Sequence, residues 1–401
     1  MNGPDEILHA AVMRPTGAAA TGVVPASDAA NAVPGVVAAA ADRTGTIYEG
    51  AFGRRALPDG AAMTPDTVFR IASMTKAITA TAAMQLVEQG RLDLDAPAGE
   101  VVPALAAPLV LEGFDAAGLP ILRPARSPIT LRRLLTHTAG FGYDIWNADL
   151  ARYARESDIP AARTGKLAGL AMPLSFDPGT RWQYGINIDW AGRMIEAASG
   201  IDLETYFQRH ILGPLGMTDT SYLARPDMEA RLASVHARTP DGLRPLVLAA
   251  NPPREFYPGG GGLYATARDY LTFLRMLLAG GTLDGARVLG AETVALMGRN
   301  HMGALDVEPM RSGVPAASND FEAFAGMRKK WGLSFLITPE NVPGRRGAGS
   351  LAWAGLNNTY YWLDPQNGVA GVLMTQVLPF GDAAVLRLLD AFETAVYAAR
   401  G

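Results

Sequence analysis

The stretch that most constrains this chain runs from Ser73 to Gly90. Ser73-Met74-Thr75-Lys76 opens a long apolar run that reads as a helix and stops at Gly90. A serine and a lysine three apart lie on one face of a helix. A neutral lysine amine placed there can take the serine proton and make a nucleophile without a histidine. The spacing is not a product of composition: 12 serines and 4 lysines in 401 residues give about 0.12 such pairs by chance. Taken alone, the tetrad reads equally as a helix start with an exposed lysine.

Elements on either side frame this helix. Val33 to Gly53 reads as two strands around the turn Asp42-Arg43-Thr44-Gly45. The first 30 residues, rich in Ala, Gly and Pro, read as partly irregular. Between residues 91 and 255, short helical stretches (Thr130–Thr136, Ile188–Ser199, Leu203–Ile211) alternate with Pro/Gly loops. Thr266 reads as an N-cap with Asp269 reaching back, and that helix runs to Gly280-Gly281. Trp331–Thr338, Ser350–Ala354, Thr359–Asp364 and Val369–Val377 read as strands, with a hairpin turn at Pro365-Gln366-Asn367-Gly368 and a terminal helix over Asp382–Ala399. The expectation is an α+β fold with one antiparallel sheet built from both termini, flanked by helices, plus a mostly helical insertion. Residues 1–70 and 256–401 would form the sheet region, 71–255 the helical region, and the active site would lie between them.

Composition narrows the function. With 49% hydrophobic residues the chain can bury a sizeable core, and a net charge of −4 gives no reason to expect nucleic acid or an anionic membrane as partner. The absence of cysteine excludes thiolate catalysis and Cys-based metal sites. No His-Glu-x-x-His or other close histidine pair occurs, and no Gly-x-Ser-x-Gly, which argues against a zinc hydrolase and an α/β-hydrolase elbow. Gly259-Gly260-Gly261-Gly262 lacks the following Lys-Ser/Thr of a phosphate loop and reads as a backbone-tolerant turn beside the site. His137 reads as structural, bonding between loop segments. With no basic n-region at the N-terminus and no apolar run of about 18 residues, the expectation is a cytoplasmic protein without a membrane span. No metal or organic cofactor is implied.

Two further stretches carry chemistry. Asp177-Pro178-Gly179 turns the chain into an aromatic loop that presents Tyr184, whose phenol can shuttle a proton. Trp353-Ala354-Gly355-Leu356 reads as a strand whose glycine lets backbone N–H groups face a reacting carbonyl. Alone, the first is an ordinary packed tyrosine and the second an edge strand with a bulge glycine.

Together, in this order, the stretches resemble the serine β-lactamase-like superfamily, and within it the family VIII carboxylesterases. The Ser-x-x-Lys tetrad is that superfamily's signature. Phe69 to Lys76, Leu134 to Gly140, Phe176 to Tyr184, Pro258 to Leu263 and Trp353 to Leu356 carry the likeness. The resemblance implies Ser73 as acylated nucleophile, Lys76 as its base, and Tyr184 as the group that protonates the leaving alkoxide and then activates water. It also implies an oxyanion hole from the backbone N–H groups of Ser73 and Leu356. Trp353, Gly355, Tyr143 and Trp182 are the candidate substrate contacts. Whether Lys76 or Tyr184 is the acylation base stays open.

Two departures matter. Trp353 stands where penicillin-binding relatives carry a lysine that holds a substrate carboxylate, which favours neutral acyl esters; Arg345 and Arg346 are candidates to restore that cation. The asparagine two residues after the tyrosine is replaced by Ile186, with Asn187 one later. The resulting expectation is a serine carboxylesterase for a small-molecule ester of short to medium acyl chain. An acyltransferase, a β-lactamase or D-alanyl peptidase, and a non-turnover acylated sensor are the alternatives.

Overall fold

The computed structural model describes residues 3–12, 24–25 and 32–400. Its centre is a seven-stranded sheet made of β1 (Gly35–Asp42), β2 (Thr46–Gly53), β3 (Lys330–Trp331), β4 (Leu336–Thr338), β5 (Ser350–Gly355), β6 (Thr359–Asp364) and β7 (Val369–Met374), in the order β3-β4-β5-β6-β7-β1-β2. Every neighbour is antiparallel. Strands from both ends of the chain thus share one sheet, as the sequence suggests.

The central strands of the sheet are buried on both faces, and successive residues of β6 show why. Tyr361 packs its ring 5.2 Å from Tyr270 of one helix, while Trp362 packs 5.9 Å from Phe392 of another. Side chains alternate faces along a strand, so helices must cover each face. They are α5 (Ala267–Leu278) on one and α6 (Ala383–Ala398) on the other. Under α6 runs α1 (Pro4–Ala11), with Leu8 fully buried. The expected irregular N-terminus is therefore helical over these residues; most of the rest of that call lies outside the described residues.

Helix α2 (Thr75–Glu88) is buried along nearly its whole length, from Thr75 through Leu86. Its alanines let neighbours approach, and its hydroxyls find partners: Thr81 donates to the Ala77 carbonyl at 3.0 Å, Thr79 to the Gly259 carbonyl at 2.7 Å. Gly90, at φ 67°, ends it, with Arg91 N–H bonding Leu86 O and Gly90 N–H bonding Val87 O.

Three expectations need correction. Trp331–Thr338 is not one strand but β3 and β4, because Ser334 turns the chain at φ 69°. Thr266 does cap α5, but Asp269 does not reach back; its carboxylate accepts the Asp219 N–H at 2.8 Å and the Thr220 hydroxyl at 2.9 Å. The insertion also carries a hairpin, Leu109–Phe114 with Pro120–Pro124, ahead of the short helix α3 (Leu131–Leu135). Among the described residues no helix is long and apolar enough to cross a membrane.

Arg345 and Arg346 do not supply a free cation. Arg346, 3% exposed, forks onto Glu393 of α6 with two bonds of 2.7 Å, and Arg345 pairs with Asp390 one turn earlier. Arg346→Ala would strip buried Glu393 of both guanidinium bonds, leaving it the backbone N–H of residue 346 at 3.2 Å and Arg345 at 3.9 Å, and is expected to cost about 2–3 kcal/mol. Urea unfolding checks this; a loss below about 1 kcal/mol, the range of an exposed pair, would show that the pair does not tie α6 to the sheet.

Candidate active site

Ser73 sits in a tight turn, Ala72–Met74, that feeds directly into α2. The turn is strained: Ala72 has φ 44°, a left-handed conformation unfavourable for a residue with a Cβ. The end of β5 presses on the same backbone. A Cβ on Gly355 would stand 2.3 Å from the Ile71 carbonyl oxygen and 2.3 Å from the Thr359 hydroxyl, so only glycine fits. This contact brings the start of the Ser73 turn against the end of the strand that Leu356 follows.

Lys76, one turn into α2, is 1% exposed. Its amine donates to the Ser73 Oγ at 3.0 Å, the Tyr143 hydroxyl at 3.1 Å and the Gly260 carbonyl at 2.6 Å. All three amine donor positions are used without a salt bridge. Burial pushes the Lys76 amine down to about 7, against the opposing pull of Asp189.

The Tyr184 hydroxyl accepts the Trp353 indole N–H at 2.9 Å and also bonds with the Ser73 hydroxyl. Burial pushes this phenol well above its ordinary value, although both hydrogen bonds pull the other way. The ring is held in an aromatic cage, 4.7 Å from His137, 4.9 Å from Trp353, 5.4 Å from Tyr143 and 5.5 Å from Trp146. Trp182 stacks behind it at 6.5 Å and is itself only 4% exposed. So Ser73, Lys76, Tyr184, Tyr143, Trp353 and Gly355 come together from segments far apart in the chain. Trp182 supports the tyrosine from behind, and Trp353 aims its polar atom at Tyr184 rather than at open space.

The histidine and asparagine near the tyrosine form its base. Asn187 opens helix α4 (Asn187–Ser199), and its side-chain amide donates to His137 Nδ1 at 3.0 Å and to the Phe141 carbonyl at 3.0 Å. Asn187 thereby ties the start of its helix to the His137–Phe141 loop. His137 stays neutral, because burial and then Lys76 push its imidazole well below the ordinary value. The Gly259–Gly262 run is indeed a turn beside the site: its carbonyls receive Thr79 and Lys76.

Asp189 was not singled out from the sequence. It is 3% exposed, and its Oδ1 accepts the Gly260 N–H at 2.9 Å. The signal available was an acid flanked by Ile188 and Trp190 in the first turn of a helix.

The chain is similar to known proteins over most of its length. The β-lactamase family model matches residues 20–395. Monacolin J acid methylbutanoyltransferase of Aspergillus terreus is 36% identical over 387 residues, covering 91% of this chain and 92% of that one. A lovastatin esterase of Penicillium rubens is 33% identical over 380 residues, covering 91% and 94%. Among solved structures, unliganded simvastatin synthase from Aspergillus terreus superposes with a TM-score of 0.80 at 31% identity, over 99% of this chain and 98% of that one. EstCE1, described as a hydrolase with promiscuous acyltransferase activity, shares the fold at TM-score 0.71 and 23% identity, over 93% and 95%.

Proposed function

The chain belongs to the β-lactamase family, and from that premise we propose that it is a serine carboxylesterase cleaving neutral esters of short to medium acyl chain through an acyl-enzyme on Ser73. The observation that carries the reading is the Ser73–Lys76–Tyr184 cluster with Trp353 donating to the phenol. An indole occupies the position of the carboxylate-holding lysine, and both nearby arginines are consumed by α6. A free carboxylate on the substrate would meet no cation from these residues, which disfavours β-lactams and D-alanyl peptides.

In acylation the Ser73 Oγ forms a bond to the ester carbonyl carbon while its proton passes to Lys76 Nζ, 3.0 Å away. The carbonyl oxygen takes the charge and faces the Ser73 and Leu356 backbone N–H groups. Collapse breaks the bond to the alkoxide, which takes the Tyr184 proton; the tyrosinate recovers one from the Lys76 ammonium. Water then repeats the sequence in reverse on the acyl group. Charge decides which group is the base. An ordinary lysine would need about 4–5 kcal/mol to be neutral at pH 7; one brought down to about 7 needs less than about 1 kcal/mol. Tyr184 is pushed the other way and stays a protonated donor. Lys76 is therefore the base, and kcat/KM is expected to rise as pH increases through about 7, where Lys76 loses its proton.

A second reading is acyl transfer to an alcohol, since relatives at 36% and 35% identity are named methylbutanoyltransferases. Product analysis with ethyl butyrate, alone and with an added alcohol, separates the two. Butyrate released steadily without alcohol supports the esterase; product formed only as the new ester would replace it with the transferase.

A further inference from the structure

A buried carboxylate without hydrogen bonds is costly, and Asp189 spends its Oδ1 on the Gly260 N–H at 2.9 Å. The carbonyl of that same glycine holds the Lys76 amine at 2.6 Å. One residue of backbone therefore separates the acid from the base. Its position has little freedom. A Cβ on Gly260 would stand 2.7 Å from Asp189 Oδ2 and 3.0 Å from the Tyr143 hydroxyl; one on Gly259 would stand 2.4 Å from the Ile188 carbonyl. The helix that carries Asp189 thus fixes where the Lys76 acceptor lies.

We propose that Asp189 is a positioning residue that sets the charge on Lys76 across the Gly260 backbone, and with it the pH range in which Lys76 can serve as base. The second half rests on the reading of Lys76 given above. Several groups face the amine: the Ser73 hydroxyl before its own helix, the Tyr143 hydroxyl and ring, the Tyr184 ring with its centroid at 4.8 Å, the His137 imidazole and the Gly260 carbonyl. The tyrosines are protonated and His137 is neutral at ordinary pH. Asp189 is the carboxylate whose field reaches Lys76. Burial alone would push the amine lower still, and a base must also keep a proton until the tyrosine needs it. The acid supplies that second capacity. Its own carboxyl is pushed up by burial and drawn back by Lys76 and the Gly260 N–H.

The test uses the whole chain with 13C at lysine Cε. Only Lys76, Lys166, Lys329 and Lys330 report, so Lys76 can be followed through a pH titration without substrate. Asp189→Asn keeps an acceptor oxygen for Gly260 and removes the charge; the Lys76 midpoint is expected to fall by about one pH unit or more. Asp189→Glu keeps the charge and should titrate close to wild type. An unchanged midpoint in Asp189→Asn overturns the proposal. Should that protein not fold, Asp189→Ser, which keeps an acceptor oxygen and removes the charge, decides: a fall of similar size supports the proposal, and an unchanged midpoint overturns it. The acid limb of kcat/KM should move with the lysine. A lysine that shifts without the limb would sink Lys76 as the base while leaving the hold of Asp189 on its charge in place.

Discussion

Ser73→Ala is expected to lose turnover by about 10⁴-fold or more, the scale seen when a catalytic nucleophile is removed. Little else should change. Lys76 keeps two of its three acceptors, Tyr143 at 3.1 Å and Gly260 at 2.6 Å, and Tyr184 keeps its Trp353 bond at 2.9 Å. No buried charge loses its only partner, so stability should move by about 1 kcal/mol or less. Initial rates on p-nitrophenyl butyrate, with urea unfolding in parallel, check both halves. Loss of activity together with loss of folding would not count for the nucleophile. A folded variant retaining a tenth of the activity would transfer the chemistry to another residue.

Tyr184→Phe is expected to lower turnover by about 10²- to 10⁴-fold, the range for a general acid–base group, and in a manner that depends on the leaving group. An alkoxide needs a proton to depart; a nitrophenolate does not. With ethyl butyrate both steps should slow. With p-nitrophenyl butyrate the first release of nitrophenol should persist, and only the later, water-dependent step should fall. Stopped-flow absorbance separates them. The variant also leaves the Trp353 N–H buried without its acceptor, worth about 1–3 kcal/mol of stability. Equal losses in both phases and both esters would place Tyr184 in packing alone.

How much of this was legible in the sequence depends on the range of the interaction. Local signals transferred well. The Thr266 cap, the Gly90 stop and the Pro365–Gly368 turn all lie where their chemistry puts them. The Ser73–Lys76 pairing follows from helical spacing, and it is present at 3.0 Å. Long-range contacts were invisible. Arg345 and Arg346 look like free cations near a site strand until Asp390 and Glu393, more than 40 residues later, close on them. Asn187 seems misplaced by one position until His137, 50 residues earlier, appears as its partner. Asp189 carries no motif at all. It matters through the backbone of Gly260, and a backbone carbonyl leaves no mark in a residue pattern. The split of Trp331–Thr338 is of another kind: Ser334 adopts φ 69° without the glycine that would have announced it.

The central claim is a covalent acyl group on Ser73. The most direct measurement is intact-protein mass spectrometry of wild type and Ser73→Ala, acid-quenched within the first turnover with p-nitrophenyl butyrate, followed by peptide mapping. The account predicts one added butyryl group in the wild type, located on the peptide containing Ser73, decaying as butyrate is released and absent from the variant. A wild type that turns over with no covalent adduct, or a butyryl group that remains in Ser73→Ala, would contradict it.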